Sequence, residues 1–251
     1  MDRSRSFAAG FLFALLLALL QWAIPAFGVP AYMLPTPLHV LQRTLDPESR
    51  LLFHFGITVV EALMGFALGG VLGFLLALLF VHIPPLETAL YPWVVLLQTI
   101  PLVVIAPLFV LWFGNGWFSR ALMAALFALF PILVNTTRGL RAIEPATLDL
   151  LQAYGATPWQ LLRFVRLPSC LPFLFAGLRV GATMAVIGAI VAEMTGSSQG
   201  LGYLVTVSSY HLETDLTFAA AFAAAILGMS LYLMLVWVER RLIFWQKESD
   251  I

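Results

Sequence analysis

Along this chain, apolar stretches of about twenty residues alternate with short polar or proline-rich interruptions, a spacing that predicts membrane-crossing helices. Six such stretches fall at about 7–27, 55–81, 86–113, 121–134, 172–194 and 218–238. The first follows a short basic head with Arg3 and Arg5. Its apolar run continues through Trp22 and Ile24 without a small-x-small cleavage site, which favours a retained helix over a cleaved signal peptide. Gly28 to Pro37 reads as turn material, and His39 to Arg50 as a short helix outside the bilayer. The third stretch contains Pro92, Pro101 and Pro107 and is expected to be broken beside a cavity. Gln98 and Thr99, just ahead of Pro101, are candidates for a polar path, with interhelical hydrogen bonding as the bland alternative.

Small residues in two of the stretches are spaced for close helix approach. Gly65, Gly69, Gly73 and Ala77 recur every fourth residue in the second. Gly177, Gly181, Ala185, Gly188 and Ala192 form a similar stripe in the fifth. In lipid such stripes let backbones pack by dispersion. Gly181, Ala185 and Gly188, with Glu193 at the far end of that span, are further path candidates. Glu61 is an ionisable residue inside an apolar run, read either as functional or as a carboxyl bonded between helices. Arg179 is placed to snorkel.

The longest polar interruption in the second half runs from Glu144 to Pro172 and is dense in helix punctuation. Pro145 suits a first helical turn, and Gly155 suits the left-handed residue after a last one. Thr157, Pro158 and Gln160 form a capping box with proline at the first helical position, and Pro168 is expected to stop that second helix. Two short helices meeting at a bend around Gly155 make a rigid docking knob, with Arg163 and Arg166 near one end.

Composition agrees with a membrane protein. The 251 residues are 61% hydrophobic and 10% charged, with mean hydropathy +0.96, where soluble chains carry roughly 25% charge. This length leaves no room for a separate water-soluble domain, so 1–251 reads as one transmembrane domain. A formal net charge of zero argues against nucleic acid. With an even number of spans, both termini and the knob share one side, which then holds Arg3, Arg5, Arg138, Arg141, Arg163, Arg166, Arg240, Arg241 and Lys247. The other side holds Arg43 and Arg50, with Arg120 near the border, so the positive-inside rule predicts cytoplasmic termini and knob.

Several chemistries drop out. Cys170 is the only cysteine, which excludes an intrachain disulfide and a multi-cysteine metal site. The four histidines are scattered, and no metal site is expected. Gly196-Ser197-Ser198-Gln199-Gly200 has the form of a nucleophile elbow, but an apolar helix precedes it where a strand is required. The only lysine, Lys247, follows no glycine-rich loop, so the chain has no phosphate-cradling loop for ATP. No catalytic residue is expected.

From Asp149 the segment resembles the cytoplasmic signature loop of permease subunits of bacterial ABC importers, whose pattern is E-A-A, three residues, G, nine residues, I-x-L-P. Gly155, Leu167 and Pro168 match in register and Val165 replaces the isoleucine, while Asp149 replaces the glutamate and Leu150 and Leu151 the alanines. LPTPLHVL, QTIPLVVIAPLFVLWFGNG and GAIVAEMTGSSQGLGYLV are similar to segments of the nitrate, taurine and alkanesulfonate permeases, in the same order. AEMTGSSQGLGYLV and YLMLVWVERRLIFW look closer to members assigned to thiamine-precursor pyrimidines or riboflavin.

The resemblance implies an all-α type I importer permease in the bacterial inner membrane. It implies a second permease copy, two ATPase subunits carrying ATP and Mg, and a periplasmic or lipid-anchored binding protein delivering the solute. No cofactor would be bound by this chain. The ATPase would grip Asp149, Ala153, Tyr154, Gly155, Ala156, Thr157, Pro158, Leu161, Leu167 and Pro168. The contrasting architecture, an ion-driven carrier working alone, would need intramembrane ionisable pairs and inverted repeats. Neither is evident in the sequence.

Overall fold

The structure, a computed structural model, describes residues 3–244, the side chains of residues 3–10, 13, 97, 98 and 102 excepted. Lys247 and the side chains of Arg3, Arg5 and Gln98 therefore lie outside the described residues. In chain order the helices are α1 Arg3–Ala26, α2 Pro37–Leu45, α3 Leu51–His82, α4 Pro84–Thr99, α5 Leu102–Phe113 and α6 Trp117–Leu140. There follow α7 Pro145–Ala153, α8 Pro158–Leu161, α9 Leu167–Met194, α10 Leu201–Tyr210 and α11 Thr214–Leu242. Among the described residues there is no strand.

Among the described residues four helical stretches are long and apolar enough to cross a membrane: α3, α6, α11 and the continuous run Pro158–Met194. Shorter apolar helices span Ala14–Ala26 within α1 and Val103–Phe113 within α5. The expected third span is thus two helices, parted at Pro101. Proline drives the residue before it out of the helical region, and Ile100 is extended at φ −73°, ψ 125°. Pro92 and Pro107 lie inside α4 and α5 without breaking them, contrary to the expectation that all three prolines interrupt the span. The fourth span is longer than the expected 121–134. Asn135 and Thr137 donate to the carbonyls of Pro131 and Leu133 four residues back, so these polar side chains are satisfied inside the helix, which runs on to Leu140.

Pro168 does not stop the second docking helix. Between α8 and α9 lies one π-helical stretch, Leu162–Arg166, in which Leu167 N–H donates to Leu162 O. A proline inside a helix removes one donor and crowds the carbonyl four residues back. The wider turn carries the chain past Pro168, so α8 and the fifth span are one helical rod of 37 residues.

At the centre, α6 packs against α3 and α9. Ala62, Ala124, Ala128, Ile132, Ala182, Ala185, Val186 and Ala189 are buried there together. Both small stripes face this seam. A Cβ at Gly73 would lie 2.9 Å from Leu129 O, and one at Gly188 2.8 Å from Ala124 Cα. Helix α11 packs against α9, and Arg179 ion-pairs with Glu239 at 3.0 Å between them rather than standing free. At one end Arg141 pairs with Glu87, tying the close of α6 to the start of α4. At the other, Arg43 of α2 pairs with Glu213 at 3.1 Å and with Asp46 at 2.6 Å. Helix α10, where only a Gly-Ser-rich turn was expected, lies at that second end against α11, α9 and α3.

Candidate functional site

The segment 144–168 is built by its caps. Pro145 opens α7 at its first turn, where no intrahelical donor is missed. The helix closes in a Schellman arrangement: Gly155 N–H donates to Gln152 O at 2.8 Å and Ala156 N–H to Leu151 O at 3.0 Å. Gly155 sits at φ +87°, a left-handed conformation that L side chains rarely adopt. Two residues on, Thr157 caps α8. Gln160 N–H donates to Thr157 Oγ1 at 3.3 Å, and Thr157 N–H donates back to Gln160 Oε1 at 2.8 Å. With both sides of the bend capped, little chain is left loose between α7 and α8.

Its surface is unusual for a water-facing segment. Tyr154 is 83% exposed, Trp159 63%, Phe164 66% and Leu150 57%. Arg163 lies 5.7 Å from the centre of the Phe164 ring. Leu151, Tyr154, Gly155, Ala156, Gln160, Leu161, Phe164 and Val165 surround a recess of about 370 Å³. Asp149, Ala153, Tyr154, Gly155, Thr157 and Pro158 are exposed, whereas Ala156, Leu167 and Pro168 are half-buried. Leu161 alone of the ten is buried. Beneath the bend, Leu140 and Cys170 are buried with Leu162 and Leu167 packed on them, and Cys170 Sγ donates to Thr136 O at 3.4 Å. The segment stands on the α6–α9 seam.

The path candidates are scattered. Thr99 is exposed, with its hydroxyl donating to Leu96 O at 2.7 Å. Gly181, Ala185 and Gly188 are buried in the seam with α6 and expose no surface to a path. The face α9 leaves uncovered is instead Val180, Met184, Ile187 and Met194. A stripe of small residues marks where a partner helix comes close, which here is α6.

Glu193 and Glu61 belong to one buried polar cluster at the end away from the bend. Glu61 ion-pairs with Arg120 of α6 at 2.7 Å. Glu193 accepts from Thr58 Oγ1 and from Gly202 N–H, both at 2.7 Å. Glu61 and Glu193 are 2% and 1% exposed, so each charge depends on its partners. Sequence reading flagged the two carboxylates separately and missed Arg120, Thr58 and His54. A signal was present: His54, Thr58 and Glu61 fall at i, i+4 and i+7, one polar line on an otherwise apolar helix. Among the described residues no group of three or more His, Cys, Asp or Glu is placed to hold a metal ion. Ser198 of the Gly-x-Ser-x-Gly stretch follows a helix, not a strand.

Comparison with known proteins gives a consistent picture. Residues 69–244 match the family described as binding-protein-dependent transport system inner membrane component. The chain is 38% identical over 252 residues to the formylaminopyrimidine transport permease protein ThiX of Halalkalibacterium halodurans, covering 99% of this chain and 100% of that one. It is 38% identical over 234 residues to the riboflavin transport system permease protein RibX of Chloroflexus aurantiacus, covering 92% and 87%. Among solved structures, the methionine ABC transporter MetNI in inward-facing conformations aligns with TM-score 0.62 at 20% identity, covering 76% of this chain and 93% of that one.

Proposed function

This chain belongs to the family of inner-membrane components of binding-protein-dependent transport systems, and from that premise we propose that its bent segment 144–168 is where a separate ATPase grips it. The chain is a multi-pass inner-membrane permease subunit of an ABC importer, and its family works with ATPase and binding-protein partners. The observation carrying the docking role is the pairing of a doubly capped bend with a rim of exposed aromatics around a recess. Fixed shape and exposed apolar anchors are what a protein partner uses for tight, oriented contact. Arg163 beside Phe164 and the exposed Asp149 of α7 add charge to the same segment.

ATP and Mg would be bound by the ATPase, and this chain would bind neither. The termini and the bend would lie in the cytoplasm, as the arginine distribution supports. A second copy would complete the path, which supports a homodimer by giving the exposed α9 face of Val180, Met184 and Ile187 something to line or meet. Gly181, Ala185 and Gly188 would serve as the seam along which α9 shifts against α6. Gln98 and Thr99 would be polar positions beside the Pro101 break. As solute we favour a small nitrogen heterocycle of the kind named for the two relatives at 38% identity. The apolar exposed face of α9 fits such a solute better than a sulfonate or nitrate, which would want cationic donors. An ion-driven carrier acting alone has no support once the family is known.

Closure of the ATPases on ATP would displace α7 and α8. Because Pro158–Met194 is one rod, the displacement would enter the membrane without an intervening joint. Replacing Gly155 with Asp tests this. An L residue at φ +87° strains the bend, and a carboxylate enters the recess. The variant is expected to reach the membrane but to lose uptake when assembled in vesicles with its partners. Undiminished uptake would exclude the docking role.

A further inference from the structure

The N-terminus of α10 is held by side chains from two other helices and by none of its own. Gly200 N–H donates to His54 Nδ1 at 3.0 Å, Leu201 N–H to Thr58 Oγ1 at 2.9 Å, and Gly202 N–H to Glu193 Oε2 at 2.7 Å. Thr58 Oγ1 in turn donates to Glu193 Oε1 at 2.7 Å. These amides are the donors a helix start leaves open, and the helix dipole favours a carboxylate beside them. A Ser, Thr or Asp at position 200 would satisfy one such amide locally. The residue there is Gly200, at φ +102°, and a Cβ on it would fall 2.6 Å from Glu193 Oε2. A Cβ at Gly202 would run into the Ile190 carbonyl oxygen and lie 2.9 Å from Glu193 Cβ, so this glycine lets the backbones of α9 and α10 meet. Gly200 therefore admits the carboxylate at the cost of a self-contained cap and Gly202 admits the close approach of α9. The start of α10 is hydrogen-bonded only while α3 and α9 stay in register, with α11 packed along the rest of it.

Two further facts give this clasp a role. Left-handed residues flank α10 on both sides, Gly196 and Gly200 before it and Leu212 after it, so it is joined to its neighbours by sharp turns. Glu193 also sits in the last turn of the same 37-residue rod whose first turn is the capped start of α8. At 1.5 Å per residue that rod is about 55 Å long.

We propose that Glu193 is a positioning residue for transport: through it the far end of the coupling rod clasps α10 against α3 in one transport state and releases it in another, making α10 the outer gate. This rests on the docking role of the bend. A rod pushed at one end must shift at the other relative to α3. The contacts it can break there are short, directional and shared among Glu193, Thr58 and the α10 amides, whereas apolar packing slides more gradually.

The test measures whether α10 moves with nucleotide. In a Cys170→Ala background, Phe55→Cys on α3 and Val205→Cys on α10 place thiols on two residues that pack against the same buried cluster. The permease is reconstituted in lipid vesicles with its ATPase. Disulfide yield is compared without nucleotide and with Mg and a non-hydrolysable ATP analogue. The parent should show a severalfold difference. Glu193→Gln removes the negative charge facing the α10 amides and leaves one acceptor oxygen for Gly202 N–H, while Thr58 can turn its hydroxyl to His54 O. Losing the charge-assisted bonds should weaken the clasp by about tenfold and shrink the difference. Thr58→Val, nearly the same volume, should do the same and serves if Glu193→Gln does not assemble, whereas Glu193→Asp should retain more of it. Gly155→Asp runs in parallel. If Gly155→Asp erases the nucleotide effect but Glu193→Gln and Thr58→Val keep it, the clasp is wrong and the docking role survives. If Gly155→Asp keeps the effect, the docking role fails and takes the route to Glu193 with it. A parent yield indifferent to nucleotide overturns the gate itself.

Discussion

Removing Arg120 should damage this protein more than any other single loss of a surface-adjacent charge. The guanidinium lies 2.7 Å from Glu61 Oε1, and the two side chains are 12% and 3% exposed. Arg120→Met keeps the length of the side chain but leaves the Glu61 carboxylate buried with no cation. Breaking such a pair from one side costs about 3–5 kcal/mol, because the remaining charge keeps its desolvation penalty and loses its compensation. Replacing both partners, as in Glu61→Gln with Arg120→Met, removes both charges of the pair, leaves Glu193 to its Thr58 and Gly202 donors, and should cost far less than Arg120→Met alone. The coupling between the two sites is then about 3 kcal/mol or more. For a chain of this size that corresponds to a midpoint fall of about 10 °C for Arg120→Met and little for the double variant. The assay is thermal unfolding of the purified protein in one detergent, followed by intrinsic tryptophan fluorescence for all four corners of the cycle. If Arg120→Met unfolds within a degree or so of the parent, or if the two single effects simply add, the pair is not a buried, mutually dependent charge.

Other outcomes follow from the same structure. Gly188→Leu should prevent α6 and α9 from reaching their present separation, because even a Cβ would lie 2.8 Å from Ala124 Cα; folded protein recovered from membranes should drop sharply, whereas Gly228→Ala, with nothing within 4 Å, should be tolerated. Trp159→Ala together with Phe164→Ala should leave the unfolding midpoint nearly unchanged, since both rings are exposed, but should lower the amount of ATPase that co-purifies. Thr157→Val removes the α8 cap, worth about 1 kcal/mol, and should reduce ATP-driven uptake while Thr157→Ser restores it.

Much of this was legible in one dimension because membrane helices declare themselves by composition. A run such as 55–81 has nowhere else to go than the bilayer, since its backbone must bond to itself once water is absent. The bend at Gly155 was equally readable. Caps are local devices, and Pro145, Gly155, Thr157 and Gln160 each act within a few residues of themselves. Proline was read less well, because its effect depends on what the neighbouring turn can absorb. Pro101 breaks a helix, Pro92 and Pro107 do not, and a single π turn takes the chain past Pro168.

The amino-acid order by itself determined that this is an all-helical membrane protein with a capped bend, since hydropathy, small-residue stripes and caps are properties of neighbours in the chain. Only the tertiary structure decided which way the stripes face and which charges meet. Gly181, Ala185 and Gly188 turned to α6, and Glu61 found Arg120 across 59 positions of chain. It also drew Glu193, Thr58 and His54 onto the start of α10. The reason is that a buried polar group is satisfied by whatever the fold brings within about 3 Å of it, and sequence distance has no say in that.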